Sequence, residues 1–349
     1  MNISRIAAAA VLVGAAVTAQ GTLSISLGIR ETGAAGGSFT AIGDDGGFSG
    51  GIEFVDLDVQ TLTLDGTWQT FTFDLANATL TGFAGATANN LLDGDFGTIE
   101  HVRIRNSGGV TGPIQLWIDD VVNTITPSGG SPTPNVVADF EGYAQGDEVM
   151  FQEPGFSGST SSNILAGATA GVDNFVASTT PSDAIVLEFV DNTATRWVRL
   201  TTFQSANVRN PLIRFDQSSV ITFRMRGGVA QENLFSNGPG DVIAEHVGTG
   251  LNAGEQSTYY VAGAEPGAAG ALFFSIAGQN DLPILGGNLV SFQGNIIAES
   301  IGADASGRIS LVLPGDPAVL DLVVQTAFLD SRVPFGVAFS NAVLSRYGQ

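Results

Sequence analysis

Apolar residues recur at every second position in segment after segment of this chain. IEFVDLDV (52 to 59), TFTFDL (70 to 75), HVRIR (101 to 105), LWIDDVV (116 to 122), IVLEFV (185 to 190), WVRLTTF (197 to 203), VITFRM (220 to 225) and FFSIA (273 to 277) all alternate in this way. Turn clusters such as GDDGG, LDGT, LDGD and NSGG separate the runs, and no stretch after the first twenty residues carries a helical stripe. A strand of period two has one apolar face, which needs a second sheet to cover it. The pattern therefore predicts an all-β protein, a jelly-roll or β-sandwich followed by a second, smaller C-terminal β-domain.

The first twenty residues, MNISRIAAAAVLVGAAVTAQ, carry one charge, Arg5, then an apolar run and the small residues Val17, Thr18 and Ala19. This is the pattern of a secretory signal peptide over residues 1–19, with cleavage near Ala19. The apolar run is shorter than the roughly 20 residues of a membrane span, and no later stretch supplies one. A secreted or cell-surface location is expected. Cysteine is absent, so stability in an oxidising compartment must come from burial and from metal. The net charge of −21 becomes −22 once Arg5 is removed, which disfavours nucleic acid and anionic lipid as partners.

The segment TPSGGSPTPN, residues 126–135, has the prolines and small polar residues of a linker. It divides residues 24–125 from residues 136–227. Between 228 and 260 the sequence turns polar and glycine-rich, as a connecting region would, and residues 261–349 read as a C-terminal β-sandwich domain.

The segments around the linker resemble, in reversed order, the two halves of one jelly-roll carbohydrate-binding module. Modules of that family open on a short strand with an acidic residue, as in VADFEGYAQGDEV (137 to 149), and close on a strand of the form W-I-D-D-V, here at 117 to 121. The closing strand comes first, and SLGIRETGAAGG, which a complete module would place after FRMRGG, instead follows the leader. The resemblance implies a circular permutation, with 24–125 as the second half of the module and 136–227 as the first. The join is short: neighbouring strands lie about 4.8 Å apart, and roughly 14 residues between Val122 and Val136 reach about 45 Å when extended. Two separate small sandwiches are the alternative. Beyond residue 260, LPILGGN (282 to 288), LPGDPAVLDLVVQTAFLD (313 to 330) and GVAFSNAVL (336 to 344) resemble a C-terminal β-domain of secreted bacterial proteins, which implies export and no particular activity.

If the strands at 116–122 and 137–149 pair, Asp119 and Asp120 approach Asp139, Glu141 and the Asp147–Glu148 turn. That many carboxylates need a cation, and calcium takes six to eight oxygens where strands meet loops. The resemblance implies a structural calcium held by Glu141 with Asp120 or Asp119. A solvated turn is the other reading of the paired aspartates.

Sugars present apolar C–H faces to aromatic platforms. With Phe71, Phe73 and Leu75 assigned to the core, Trp68 falls on the outer face; with Val198 and Leu200 inward, Trp197 and Arg199 fall outward together. Arg103 and Arg105, with His101, line the outer side of HVRIR as contacts for an acidic polysaccharide. Burial of both tryptophans in the core competes with this assignment, because a register error of one residue reverses every face. Only two histidines exist, and no nucleophile elbow, zinc-binding histidine pair or phosphate loop appears. The expected function is that of a secreted, non-catalytic, calcium-stabilised polysaccharide-binding protein. A structural or adhesive surface protein that self-associates is the second reading, and a polysaccharide hydrolase or lyase the third.

Overall fold

The computed structural model describes residues 21–32, 41–174, 180–215, 218–230, 232–234, 238–276, 282–289 and 296–347. The expected signal peptide, 1–19, lies outside the described residues. The chain divides into two compact units, one made of Gly21–Asn174 with Pro181–Gly227 and the other running from Gly228 onward.

In the first unit the alternating segments become strands β1 (Thr22–Arg30), β2 (Ile52–Thr63), β3 (Gln69–Asp74), β4 (Leu80–Ala84), β5 (Phe96–Arg105) and β6 (Ile114–Ile125). After residue 130 follow β7 (Thr133–Ala138), β8 (Thr169–Asp173), β9 (Ser182–Leu187), β10 (Trp197–Thr201), β11 (Leu212–Arg214) and β12 (Ser219–Val229). They build two sheets, one ordered β10-β5-β1-β2-β4 with β11 also on β5, the other β3-β12-β6-β9-β8 with β7 on β6. The inward residues form one apolar core: Leu23, Ile25 and Leu27 from the first sheet face Phe71, Phe73, Leu116, Ile118, Ile185 and Phe223 of the second. Phe223 stacks on both Phe71 and Phe73, with ring centroids 5.6 and 5.7 Å apart. The fold is an all-β sandwich.

Strands from both sides of residues 126–135 alternate within each sheet, since β5 pairs with β10 and β11, β3 with β12, and β6 with β9. The adjacency asked of LWIDDVV and VADFEGY is present, with Val121 opposite Ala138 and Val122 opposite Val136. Residues 126–135 differ from the linker expected of them. Ile125 already faces Thr133, so only 126–132 lie outside the ladder, and they form a hairpin loop turning on Pro127 and Gly129. Proline and glycine serve a tight loop as well as a flexible tether, so composition does not separate the two.

The second unit contains β13 (Glu232–Asn233), β14 (Ile243–Gly248), β15 (Gln256–Ala262), β16 (Ala269–Ile276), β17 (Leu282–Ile284), β18 (Gly287–Leu289), β19 (Ile297–Gly302), β20 (Ile309–Pro314), β21 (Leu320–Leu329), β22 (Val337–Phe339) and β23 (Val343–Tyr347). A sheet ordered β13-β23-β21-β16-β19, with β22 on β21, accompanies a three-stranded sheet β14-β15-β20 and the hairpin β17-β18. Residues 228–260 are therefore part of this unit and not a connecting region: Ala244, Val247, Leu251, Tyr259 and Val261 are buried in it. Glycine-rich flanks hide two short alternating strands there. Among the described residues no helix is long and apolar enough to cross a membrane.

Because both sheets need strands from both sides of the hairpin loop, neither half can close a core alone. Expressed separately, residues 21–125 and 136–227 are expected to show no cooperative melt, and mixing them should restore one. Two independent cooperative transitions, seen by circular dichroism, would refute the shared core.

Candidate functional site

The outer face of the β10-β5-β1-β2-β4 sheet brings together four of the five residues that the sequence nominates for ligand contact. Trp197 stands opposite Arg105 and Arg199 opposite Arg103 across the β10–β5 ladder. A β-bulge between Gly28 and Ile29, opposite His101 and Ile99, inserts Glu100 as an extra residue. Glu100 is buried and accepts hydrogen bonds from Arg30 Nε at 3.0 Å and Arg199 Nη2 at 2.8 Å. Asp58, at φ +61°, turns its carboxylate to Arg103 and to Arg105, the latter at 2.7 Å, while its own N–H donates to Ser26 Oγ at 2.8 Å.

The rings on this face are largely occupied by the protein itself. Arg103 lies 4.8 Å over Trp197 and 5.5 Å over Phe54, and Arg199 lies 5.3 Å over Phe83. Phe54 and Phe83 present their edges to Trp197. Gly28 leaves the space into which the His101 ring fits, for a Cβ there would collide with it. Burial, reinforced by Arg199, Arg103 and Arg30, holds the His101 pKa well below the usual histidine value, so the ring is neutral. Guanidinium, carboxylate and ring pack on one another here, with Arg199 Nε and both His101 ring nitrogens buried without a hydrogen-bond partner, so this face is not an open basic patch.

Trp68 lies apart from the other four, just before β3 of the opposite sheet. Arg224 and Arg226 sit 5.0 and 5.3 Å over its ring, and Arg226 also covers the buried Trp117 at 4.2 Å. The same Arg224 reaches Asp119 at 2.8 Å and Asp120 at 2.7 Å. Asp119 is only 1% exposed, whereas Asp120, at φ +51°, faces solvent. Glu141 is exposed, and its N–H donates to Asp139. Among the described residues no three His, Cys, Asp or Glu side chains are placed to share a metal. At Asp119 and Asp120 the structure shows the Arg224 guanidinium, and among the described residues these two do not form with Glu141 a group of three acidic side chains placed to share a metal. Replacing Arg224 by Met leaves Asp119 buried without this counter-ion. Since Arg224 is itself about a third exposed, a loss of about 1–2 kcal/mol is expected, read as a fall of several degrees in the melting temperature. Adding Asp119→Asn should recover part of it.

A third group went unnoticed in the sequence. Asp183, at the inner side of β9, is fully buried, its carboxylate near the backbone amides of Gly171 and Phe151 but without a well-formed hydrogen bond. Burial raises its pKa to about 8; the nearby amides of Gly171 and Phe151 offset this in part, and the Glu148 charge adds to it. Folded protein then holds a proton on Asp183 that unfolded protein releases near pH 4, so this group's contribution falls as pH rises from about 4 to about 8. Asp183→Asn should remove that decline. Urea denaturation at pH 5 and pH 8 would show the variant gaining on the wild type at the higher pH.

The most open aromatic surface lies where the loop after residue 40 meets the loop after β10. Asp45 accepts from Arg209 Nε at 3.0 Å, Nη2 at 2.6 Å and the Arg209 backbone N–H at 3.0 Å. The Gly46 N–H donates to Asn210 O, and Leu212 N–H to Asp44 O, both at 2.9 Å. Held by this clamp, Phe48 is 70% exposed and meets Phe203 edge to face, centroids 6.2 Å apart. Asp45, Gly46, Phe48, Phe203, Gln204, Arg209 and Asn210 line a cleft of about 260 Å³. Gln204 and Asn210 have φ of +61° and +41°, a conformation side chains rarely adopt. In sequence GDDGG is a turn cluster like the others; the partner of its Asp45, Arg209, is 164 residues away, beyond the reach of any local pattern.

No protein-family model matches the chain, and no curated protein matches it either. Among solved structures, a tetra-tandem repeat from the extending region of a large adhesion protein is similar at 13% identity, covering 95% of this chain and 68% of that one, with a TM-score of 0.21.

Proposed function

We propose that this is a secreted, non-catalytic polysaccharide-binding protein, and that the Phe48–Phe203 cleft is its sugar-binding surface. The observation that carries this reading is a phenyl ring 70% exposed on a loop clamped at both backbone and side chain by the Asp45–Arg209 pair. Leaving such a ring in water forgoes its burial, and holding it rigid lowers the cost of ordering it against a ligand. A pyranose C–H face fits the ring, while the exposed Asp45, Gln204 and Arg209 offer polar groups to its hydroxyls. Among the residues lining the cleft there is one carboxylate, Asp45, already paired with Arg209, whereas the usual glycosidase mechanism needs two. The net charge of −21 favours a neutral polysaccharide over an acidic one.

A glycan array followed by titration calorimetry tests the proposal. Saturable binding is expected, with Phe48→Ala weakening it at least tenfold, about 1.4 kcal/mol, while the melting temperature stays unchanged because the ring is exposed. Trp197→Ala, by contrast, should destabilise the fold. A blank array combined with concentration-dependent assembly in sedimentation would favour the structural, self-associating reading. For that reading the exposed apolar residues Leu282, Ile284 and Leu285 of the β17–β18 hairpin offer one surface, and Val319, Leu329 and Phe335 are exposed as well.

A further inference from the structure

We infer that Glu31 and Glu53 bind a calcium ion at the end of the sandwich where the loop 87–93 folds over β1 and β2. Both side chains are buried, Glu53 completely. One oxygen of each is used to hold the loop: Glu53 Oε1 accepts from the N–H groups of Asn89 at 2.6 Å and Asn90 at 3.2 Å, and Glu31 Oε1 accepts from the N–H of Asp93 at 2.6 Å. The other oxygen of each, Oε2, is buried with no partner, and so is the hydroxyl of the adjacent Thr32. The two strands run side by side here, with the Glu31 N–H donating to Gly51 O at 2.9 Å and Glu53 opposite Ile29. Gly51 has no Cβ, and the Thr87–Ala88 backbone occupies the space one would fill, so the loop is pressed directly onto β2.

Carboxylate oxygens buried without a partner have lost water and gained nothing in exchange. The Glu31 carboxyl shows the strain: burial pushes its pKa up, the Asp93 amide offsets part of this, and the charges of Asp93 and Glu53 add to it. A divalent cation between the two Oε2 atoms cancels both charges. The donors are oxygens only, with no histidine or cysteine among them, which selects a hard ion. Calcium accepts irregular sets of six to eight oxygens completed by carbonyls and water, whereas magnesium demands a near-ideal octahedron. With no three acidic, His or Cys side chains placed to share a metal among the described residues, the site rests on two carboxylates. A cation here fastens a loop to the end of a core that has no cysteine to staple it. This site is separate from Asp119, Asp120 and Glu141, and it is independent of the sugar-binding proposal.

The test uses the purified chain stripped with a chelator, titrated with calcium chloride up to about 10 mM, above the roughly 10⁻⁴–10⁻³ M range of extracellular calcium modules. One calcium per chain at this site and a rise of several degrees in melting temperature are expected. Glu31→Gln with Glu53→Gln should abolish both responses, while Asp120→Asn with Glu141→Gln should keep them. In the wild type, calcium should slow amide exchange at Asn89, Asn90 and Asp93, a readout that survives if the double glutamine variant fails to fold. Calcium without effect on heat, melting or exchange overturns the proposal, as does a response that persists in the Glu31/Glu53 variant. A melting temperature that falls with rising pH yet ignores calcium would also overturn it, by assigning the two oxygens a shared proton.

Discussion

The backbone ladder around Ile114–Ile125 is the constraint on which the first unit depends. That strand sits between β12 and β9 and also carries β7, so it joins residues from before and after the hairpin loop into one hydrogen-bonded sheet. Its inward residues Leu116 and Ile118 anchor the core, and its outward neighbours Asp119 and Asp120 share Arg224. An unpaired backbone group in such a place has no water to turn to, which fixes the register of every strand that joins it.

Charge in this protein is managed by local pairing. With 34 acidic and 13 basic residues, arginine is scarce, and the structure spends it on buried or half-buried carboxylates: Arg30 and Arg199 on Glu100, Arg103 and Arg105 on Asp58, Arg224 on the paired aspartates. Several of these guanidiniums also cover aromatic rings, so one side chain neutralises an acid and shields an apolar surface together. The carboxylates that this supply does not reach stand out physically. Asp183, Glu31 and Glu53 are buried with carboxylate oxygens that no arginine meets.

The nominated site residues divide by the range of the information needed to place them. Alternation alone put Phe71, Phe73, Val198 and Leu200 inward, and the structure buries them; it put Trp197, Arg199, Arg103 and Arg105 outward together, and the β10–β5 ladder sets them side by side, whereas Trp68 stands just before β3 and outside the ladder. Alternation did not reveal that the outward rings are covered by guanidiniums, since Arg103 meets Trp197 only because β10 pairs with β5 across 94 residues of chain. The paired aspartates were legible as a charged strand end, but their counter-ion, Arg224, lies on another strand more than one hundred residues later. Phe48 looks like an ordinary loop residue in sequence, and Phe203 like the last apolar position of the segment WVRLTTF, whose strand in fact ends at Thr201.

The sequence by itself determined the all-β class and the faces of the strands, because period two and turn chemistry are local properties of the chain; that LWIDDVV and VADFEGY lie side by side is an expectation from the family resemblance alone. Only the tertiary structure decided which strands pair, that residues 126–132 are a hairpin loop, that residues 228–260 belong to the second unit, and which carboxylates are left without an arginine. The physical reason is that pairing and desolvation are set by neighbours distant in sequence: a glutamate's charge is cheap or costly according to what the fold brings against it, and no stretch of residues records that alone.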